Sequence, residues 1–261
     1  MNQENRSIFR EDYSKSYDLI YKKKNYIDEC KRIINFLKYK KNISNILDLG
    51  CGTCSHSIIL SKYCFNIDAI DRSEKMLEIA KKKISKKKIN NIKLIQADIE
   101  NLALKNVQYD VILLLFNVLG YLEKPYLFFS NLKKYLKRGS IVIFDFWHED
   151  AVIQNGPKKT KKNFEEAKVT LTKLSEGKII QKNKTIIINI QTYEKKENQV
   201  VTKNKEEHHI KYYNIKTLTL NLINEGFKVL KIEDFENDGC LPSKENWSAY
   251  CVSKYLGSNI K

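Results

Sequence analysis

The segment Ile46-Leu-Asp-Leu-Gly-Cys-Gly-Thr-Cys-Ser-His56 constrains this chain more than any other. A short apolar run leads into two glycines one residue apart, and a helical stretch comes next. Glycine permits a tight turn and a close approach of backbone to ligand, while the next helix offers its free amides and partial positive charge. Such a turn is weak evidence alone, and its weight comes from two carboxylates at set distances downstream. Asp71 closes the next apolar run, Asn66-Ile-Asp-Ala-Ile-Asp71, about 20 residues on, where a carboxylate accepts hydrogen bonds from both hydroxyls of a ribose. Asp98, in Ile95-Gln-Ala-Asp-Ile-Glu100, places another acceptor at the same sheet edge, where open α/β sheets bind their ligands.

The order of elements around this turn points to one fold class. Ile27, Cys30, Ile33, Ile34 and Leu37 recur at helical spacing after a lead-in marked by Tyr13, Tyr17, Tyr21 and Tyr26, which predicts an aromatic arm and then a helix over 26–40. Apolar runs follow at 45–49, 65–70, 92–95, 111–116 and 141–146, with helical stretches between them. Continuously apolar strands alternating with helices predict a parallel sheet covered on both faces. Residues 167–213 then hold β-rich stretches (168–173, 185–193, 208–213) separated by the turn-like Ser175-Glu-Gly177 and residues 194–198, which suits an antiparallel insert. A helix at 215–225, stopped by Gly226, and strands at 228–235 and 248–254 end the chain. The expected division is an arm and helix over 1–40, a core over 41–150, the insert over 151–213, and a C-terminal helix with the last two core strands over 214–261.

Taken together, Asp48-Leu-Gly-Cys-Gly-Thr53, Ile70-Asp-Arg-Ser-Glu-Lys-Met-Leu77 and Gln96-Ala-Asp98 resemble the class I S-adenosylmethionine-dependent methyltransferases, over residues 17–150. The resemblance implies a Rossmann-like α/β fold: a seven-stranded, mostly parallel sheet with helices on both faces and an antiparallel lid after the fifth strand. It also implies the cofactor contacts. Asp48 and the turn Gly50, Cys51, Gly52 face the methionine part of S-adenosylmethionine, supported by Tyr17 and His56. Asp71, with Arg72 beside it, holds the ribose, Met76 packs on the adenine, Asp98 with Ile99 meets its amino edge, and Phe116 lies beneath the sulfonium. One position departs from the family. Its usual third glycine, after Thr53, is Cys54 here, so a looser or tilted approach of helix and cofactor is expected.

The stretches 17–26, 109–122 and 143–148 narrow the resemblance to a bacterial branch acting on small molecules, including N-methyltransferases of nucleotide-linked aminosugars and relatives in surface-polysaccharide gene clusters. The implied reaction is methyl transfer to the oxygen or nitrogen of a small molecule, a sugar, nucleotide-linked sugar or other capsule precursor. An RNA methyltransferase and a non-catalytic S-adenosylmethionine-binding protein stand as alternatives. Against the former, the segment after the fourth strand reads Phe116-Asn-Val-Leu119 rather than Asn-Pro-Pro-Tyr, and none of the three prolines follows a cysteine. A nicotinamide-dependent oxidoreductase shares the use of Asp71, but Tyr121 and Lys124 stand one residue too close for the short-chain pair.

Composition bears on partners. The net charge of +16 favours an anionic acceptor, yet only five of the 47 basic residues are Arg, the residue suited to bidentate phosphate and base contacts. A solvated lysine face, and no nucleic acid, is the expectation. The six cysteines are scattered, and Cys51 and Cys54 lack a second pair, so no metal is expected. No stretch approaches the ~18 to 20 apolar residues of a membrane span, and residues 1–6 lack the apolar core of a secretory signal, so a cytoplasmic monomer or homodimer is expected.

Because the donor carries its own activation, the protein must mainly align the partners; a hydroxyl acceptor also needs a base. His148, directly after the fifth strand and beside Trp147, is the chosen base, with Asp145 a weaker alternative that at a strand end is suited to holding backbone amides. Of the adjacent His208 and His209 in a strand, only one can face inward. Tyr21, with Tyr17, is expected to close over the acceptor together with the lid.

Overall fold

The computed structural model describes residues 8–9, 11–40, 43–63, 65–105, 107–166, 169–196 and 199–257. The opening at 1–6, Cys64, the start of the first insert strand at Lys168 and the turn residue Asn198 lie outside them. The first two helices are α1 (Glu11–Ile20) and α2 (Tyr26–Leu37). In α1, Tyr13 and Tyr17 stand four residues apart and so share one side. Asn25 begins α2 by accepting a hydrogen bond from the Asp28 amide, and the helix buries Cys30, Ile33 and Leu37.

Strands and helices then alternate: β1 (Asn45–Leu49), α3 (Ser55–Leu60), β2 (Asn66–Asp71), α4 (Glu74–Lys86), β3 (Ile92–Gln96), β4 (Tyr109–Leu114), α5 (Pro125–Leu132), β5 (Leu136–Trp147) and α6 (Glu149–Asn155). After the insert come α7 (Ile215–Asn224), β10 (Phe227–Asp234) and β11 (Ser248–Tyr255). The seven strands form one sheet of order β10-β11-β5-β4-β1-β2-β3, in which β1 to β5 run parallel and β11 pairs antiparallel with both its neighbours. This is the Rossmann-like class that the motifs imply. Successive residues alternate faces, and both faces are buried. Leu47, Ile112, Leu114 and Phe144 join one core, while Ile46, Val111, Leu113 and Ile143 join the other. Each such side chain contributes roughly 1.5 to 3 kcal/mol on burial. The strand order reverses between β1 and β4, which leaves a crevice at their carboxyl ends.

The insert is a second, antiparallel sheet of order β6-β7-β8-β9, made of β6 (Thr160–Glu166), β7 (Val169–Ile180), β8 (Thr185–Lys196) and β9 (Gln199–Lys211). It departs from the sequence reading in three places. β6 is unanticipated, because an edge strand reading Thr-Lys-Lys-Asn-Phe-Glu-Glu needs only Phe164 to pack. Ser175-Glu-Gly177 is not a turn but the middle of β7; the chain reverses at Gln181–Asn183 and Lys184. Gly177 is required because Pro157 crosses it: a Cβ there lies 2.9 Å from the Pro157 Cβ and 3.1 Å from the Ile187 carbonyl oxygen. β9 begins far earlier than residue 208, and its Glu206, His208 and Ile210 share the buried face. The sheet is seated on α1 through Tyr13, Ile20, Leu171 and Ile190, and on α6 through Val152, Ile186 and Tyr212. Among the described residues no helix is long and apolar enough to cross a membrane.

Candidate functional site

The glycine turn sits over the crevice between β1 and β4. Gly50 takes φ +72°, and a Cβ there comes 2.6 Å from Val118 Cγ2, so both backbone and space demand glycine. Gly52 takes φ +55°, and its missing side chain faces open space. Its amide donates to Asp71 Oδ2 at 2.8 Å, while the Ser73 amide donates to Oδ1 at 2.8 Å. The Arg72 amide is a third donor to this carboxylate, which keeps lone-pair capacity beyond the three. Burial raises the Asp71 pKa, and the amides of Ser73 and Gly52 oppose that. Cys54, at the position of the usual third glycine, takes the left-handed conformation of φ 60°, ψ 30°, and buries its side chain in the core, so α3 starts directly after the turn.

A crevice of about 90 Å³ brings together Gly50, Gly52, Asp71, Arg72, Met76 and Ile99, with Tyr17 and Phe116 at one end. A smaller space of about 30 Å³ beyond Gly50 is lined by Asp48, Cys51, Thr53 and His56, again with Tyr17 and Phe116. Asp98 alone of the expected set does not line either space. It accepts the Glu100 amide at 3.0 Å and caps the turn there, while its neighbours Ala97 and Ile99 line the crevice. Supports stand behind the front row. Asp48 accepts from the Ser57 hydroxyl, and His56 Nε2 lies 2.7 Å from Glu29 Oε2. Burial raises the Glu29 pKa, but His56 and Lys24 outweigh it and hold the carboxyl below its usual range. From α1, Asp18 accepts from the Thr53 hydroxyl at 2.6 Å and from Lys83 Nζ at 3.0 Å, which latches this helix over the glycine turn.

A larger cavity of about 740 Å³ opens between the lid and the core, lined by Tyr21, Asn117, Tyr121, Trp147, Lys173 and His208 among others. Tyr17 and Phe116 border this cavity as well as both smaller spaces, so all three meet there. Tyr21 packs edge-on to Phe116 with ring centroids 4.9 Å apart, and Lys173 Nζ donates to its hydroxyl at 3.4 Å.

The turn after β4 is strained. Phe116 (φ 68°) and Asn117 (φ 60°) are successive non-glycine residues in the left-handed region, which costs each roughly 1 to 2 kcal/mol. Asp145 of β5 holds the turn by accepting the Phe116 amide at 2.6 Å and the Asn117 amide at 2.8 Å. Burial, offset in part by Lys24 and these amides, pushes its carboxyl up to about 6. The turn drives the Asn117 side chain to the cavity wall, where its amide, buried, has no hydrogen-bond partner among the described residues. Asn117 was not identified from sequence; its signal is a lone Asn at a strand's carboxyl end.

His148 is the clear correction. It is 2% exposed, begins α6 and donates from Nε2 to the Asn246 carbonyl at 2.7 Å, away from the cavity. Trp147, expected to pack beside it, instead meets Trp247 edge-on and lines the cavity. The histidine that reaches the cavity is His208; His209 lies on the opposite face of β9, against Glu207. His208 Nδ1 lies 2.9 Å from the Tyr121 hydroxyl, and its Nε2 lies 3.1 Å from Glu206 Oε2.

Residues 40–212 match a family model described as a methyltransferase domain. The malonyl-[acyl-carrier protein] O-methyltransferase of Halalkalibacterium halodurans is 34% identical over 110 residues, which is 40% of this chain and 40% of that protein. The chain spans about half or less of the length of the curated relatives it matches. Among solved structures, an S-adenosylmethionine-dependent methyltransferase from Clostridium acetobutylicum superposes with a TM-score of 0.79 at 19% identity, covering 94% of this chain and 98% of that one. The sugar N-methyltransferase KedS8 of a Streptoalloteichus species gives 0.75 at 15% identity, covering 92% and 93%. At these identities the likeness is one of fold.

Proposed function

The chain belongs to the methyltransferase-domain family, and from that premise we propose that it transfers a methyl group from S-adenosylmethionine to an oxygen or nitrogen of a small polar molecule. The class we favour is a sugar, nucleotide-linked sugar or other surface-polysaccharide precursor, modified in the cytoplasm. The observation that carries this reading is the meeting of three spaces at Tyr17 and Phe116. Two of them suit the two ends of one cofactor, and the third is a roofed cavity of about 740 Å³, ample for a sugar with a phosphate-bearing group.

The residues present fit the cofactor. The open space at Gly52 and the remaining acceptor capacity of Asp71 suit a ribose, and Met76 and Ile99 offer apolar walls for a base. Asp48, Cys51 and His56 suit the polar methionine end, while Asp98, which caps the turn at Glu100, would support the base only through its neighbours Ala97 and Ile99. When bound, S-adenosylmethionine supplies a methyl carbon activated by a sulfonium charge. The chain's own part is alignment and exclusion of water. Holding acceptor and methyl about 3 to 3.5 Å apart contributes several kcal/mol, and α1, with Tyr17 and Tyr21, and the lid close that space. Asn117's unpartnered amide suits a hydroxyl or amine of the acceptor, and Lys173 suits its anionic part. That KedS8 is a sugar N-methyltransferase agrees with this class.

The test is a screen with methyl-tritiated S-adenosylmethionine against UDP- and TDP-hexoses, sugar phosphates and bulk RNA. Label is expected in a sugar or nucleotide-linked sugar, and Lys173→Gln should raise its KM about tenfold with cofactor affinity unchanged. Label in RNA and in no small molecule overturns the reading.

A further inference from the structure

Three side chains that the cofactor reading leaves without a role form one connected chain into the acceptor cavity. His208 is 2% exposed and Glu206 6%, both on the buried face of β9, while Tyr121 belongs to the turn Val118–Tyr121 on the core. The hydrogen-bonding capacities fix a direction. A carboxylate only accepts, so Nε2 of His208 carries the hydrogen and donates to Glu206 at 3.1 Å. In the neutral ring Nδ1 then keeps its lone pair and accepts the Tyr121 hydroxyl hydrogen at 2.9 Å. The Tyr121 oxygen retains its lone pairs for a group in the cavity. Burial first, then the neighbouring Tyr21 and Glu206, holds this phenol well above its usual range, so it stays protonated and gives up a proton only as it gains one.

The placement is as specific as the bonding. Tyr121 borders both the cofactor crevice and the acceptor cavity, whereas His208 opens on the cavity alone. β9 reaches the turn because Gly120 lacks a side chain: a Cβ there lies 2.7 Å from Ile210 Cγ2, one step along the same face as His208. Around the imidazole stand Phe9 and Tyr13 from the N-terminal side, with ring centroids 5.5 and 6.1 Å away, Tyr121 from the core and Ile188 as its partner on β8. Glu206 is the one carboxylate among these neighbours, and Arg72 acts on Tyr121 from the cofactor side.

We propose that Tyr121, His208 and Glu206 form a proton relay that takes the acceptor's proton during methyl transfer, and that the methylated group is therefore a hydroxyl. The proposal rests on the methyltransferase reading. As the acceptor oxygen forms its bond to the methyl carbon, the carbon–sulfur bond breaks and its electron pair stays on sulfur. The acceptor's O–H proton passes to the Tyr121 oxygen, and the proton Tyr121 held passes to His208 Nδ1. The imidazolium rests against the Glu206 carboxylate until it loses the proton to solvent. A hydroxyl and a sulfonium thus become an ether, a thioether and one proton. Tyr121 is the catalytic group, and His208 and Glu206 act through it. An amine entering in its neutral form needs no such chain. Two of the three members belong to the lid, so the relay is complete only when the lid is seated.

Two measurements on the full chain with S-adenosylhomocysteine test the relay. Long-range nitrogen–proton NMR of the four imidazoles should show His208 as the Nε2–H tautomer, and Tyr121→Phe should move its Nδ1 signal alone. The Nδ1–H tautomer reverses the direction of the chain and overturns the proposal, whether or not an acceptor has been found. With a TDP- or UDP-hexose that takes up label, Tyr121→Phe and His208→Gln should each lower kcat about 10²- to 10⁴-fold with S-adenosylhomocysteine affinity unchanged. The acidic limb of the pH–rate profile should vanish in His208→Gln, and Glu206→Gln should lower kcat with S-adenosylhomocysteine affinity unchanged. Variants turning over within threefold of the parent, or label on an amine with the pH profile unmoved, overturn it. A chain that binds no S-adenosylhomocysteine defeats the methyltransferase reading instead, and the tautomer result still stands by itself.

Discussion

Asp145 shows how one side chain serves the site through the backbone it holds. Its two accepted amides hold Phe116 and Asn117 in the left-handed region, and Asp145→Ala leaves the buried Asn117 donor unpaired, at roughly 1 to 3 kcal/mol, and the part-buried Phe116 donor without its partner. Urea unfolding should show that loss. The same carboxyl makes stability depend on pH. Its folded pKa of about 6 lies above an unfolded value of about 4, so the folded state binds the proton more tightly. The stability it adds is full below about pH 4 and is lost as pH rises to about 6. The stability difference between the parent and Asp145→Asn should therefore fall across that window and stay flat above pH 7; a rise with pH contradicts the assignment. Asp71→Ala should weaken S-adenosylhomocysteine binding by roughly 1.5 to 3 kcal/mol, read by calorimetry, with the fold intact. Residues such as Asp71 and Gly52 were legible in the sequence because each ends a strand or opens a turn within a short local pattern. His148 misled because the same pattern says nothing of where a ring turns, and Asn246, 98 residues later, decides that. The pairing of Tyr121 with His208 spans 87 residues, so no local signal marks it.

At the scale of elements, the sheet was legible because its buried strands are continuously apolar, whereas the lid was legible only in outline. β6 has too few inward side chains to signal itself, and Gly177 reads as a turn although it marks a crossing by Pro157. The arm proved to be a helix whose role lies in its attachments. α1 is tied to the glycine turn by Asp18 through Thr53 and Lys83, and to the lid by Tyr13 and Ile20. A helix that covers the crevice and the cavity, and is tied to the glycine turn by a few partly exposed bonds, is suited to opening for exchange on the core side. Asp18→Ala should speed S-adenosylhomocysteine dissociation roughly fivefold, about 1 kcal/mol, since the ion pair is partly solvated. Stopped-flow release checks this, and an unchanged rate removes α1 from the exchange step.

For the whole molecule, an open α/β sheet supplies a cofactor edge at its strand reversal, and a separate antiparallel sheet roofs the space beyond it. The two meet along the line from Phe116 through Tyr121 to His208, so the proposed cofactor and acceptor sites fall to different parts of the chain. The arrangement makes a sharp geometric claim. In a crystal structure of the complex with S-adenosylhomocysteine, the ribose should rest on Asp71 and the sulfur should lie between Tyr17 and Phe116, open to the cavity of about 740 Å³. A sulfur turned away from that cavity, or a ligand bound elsewhere on the molecule, contradicts the account.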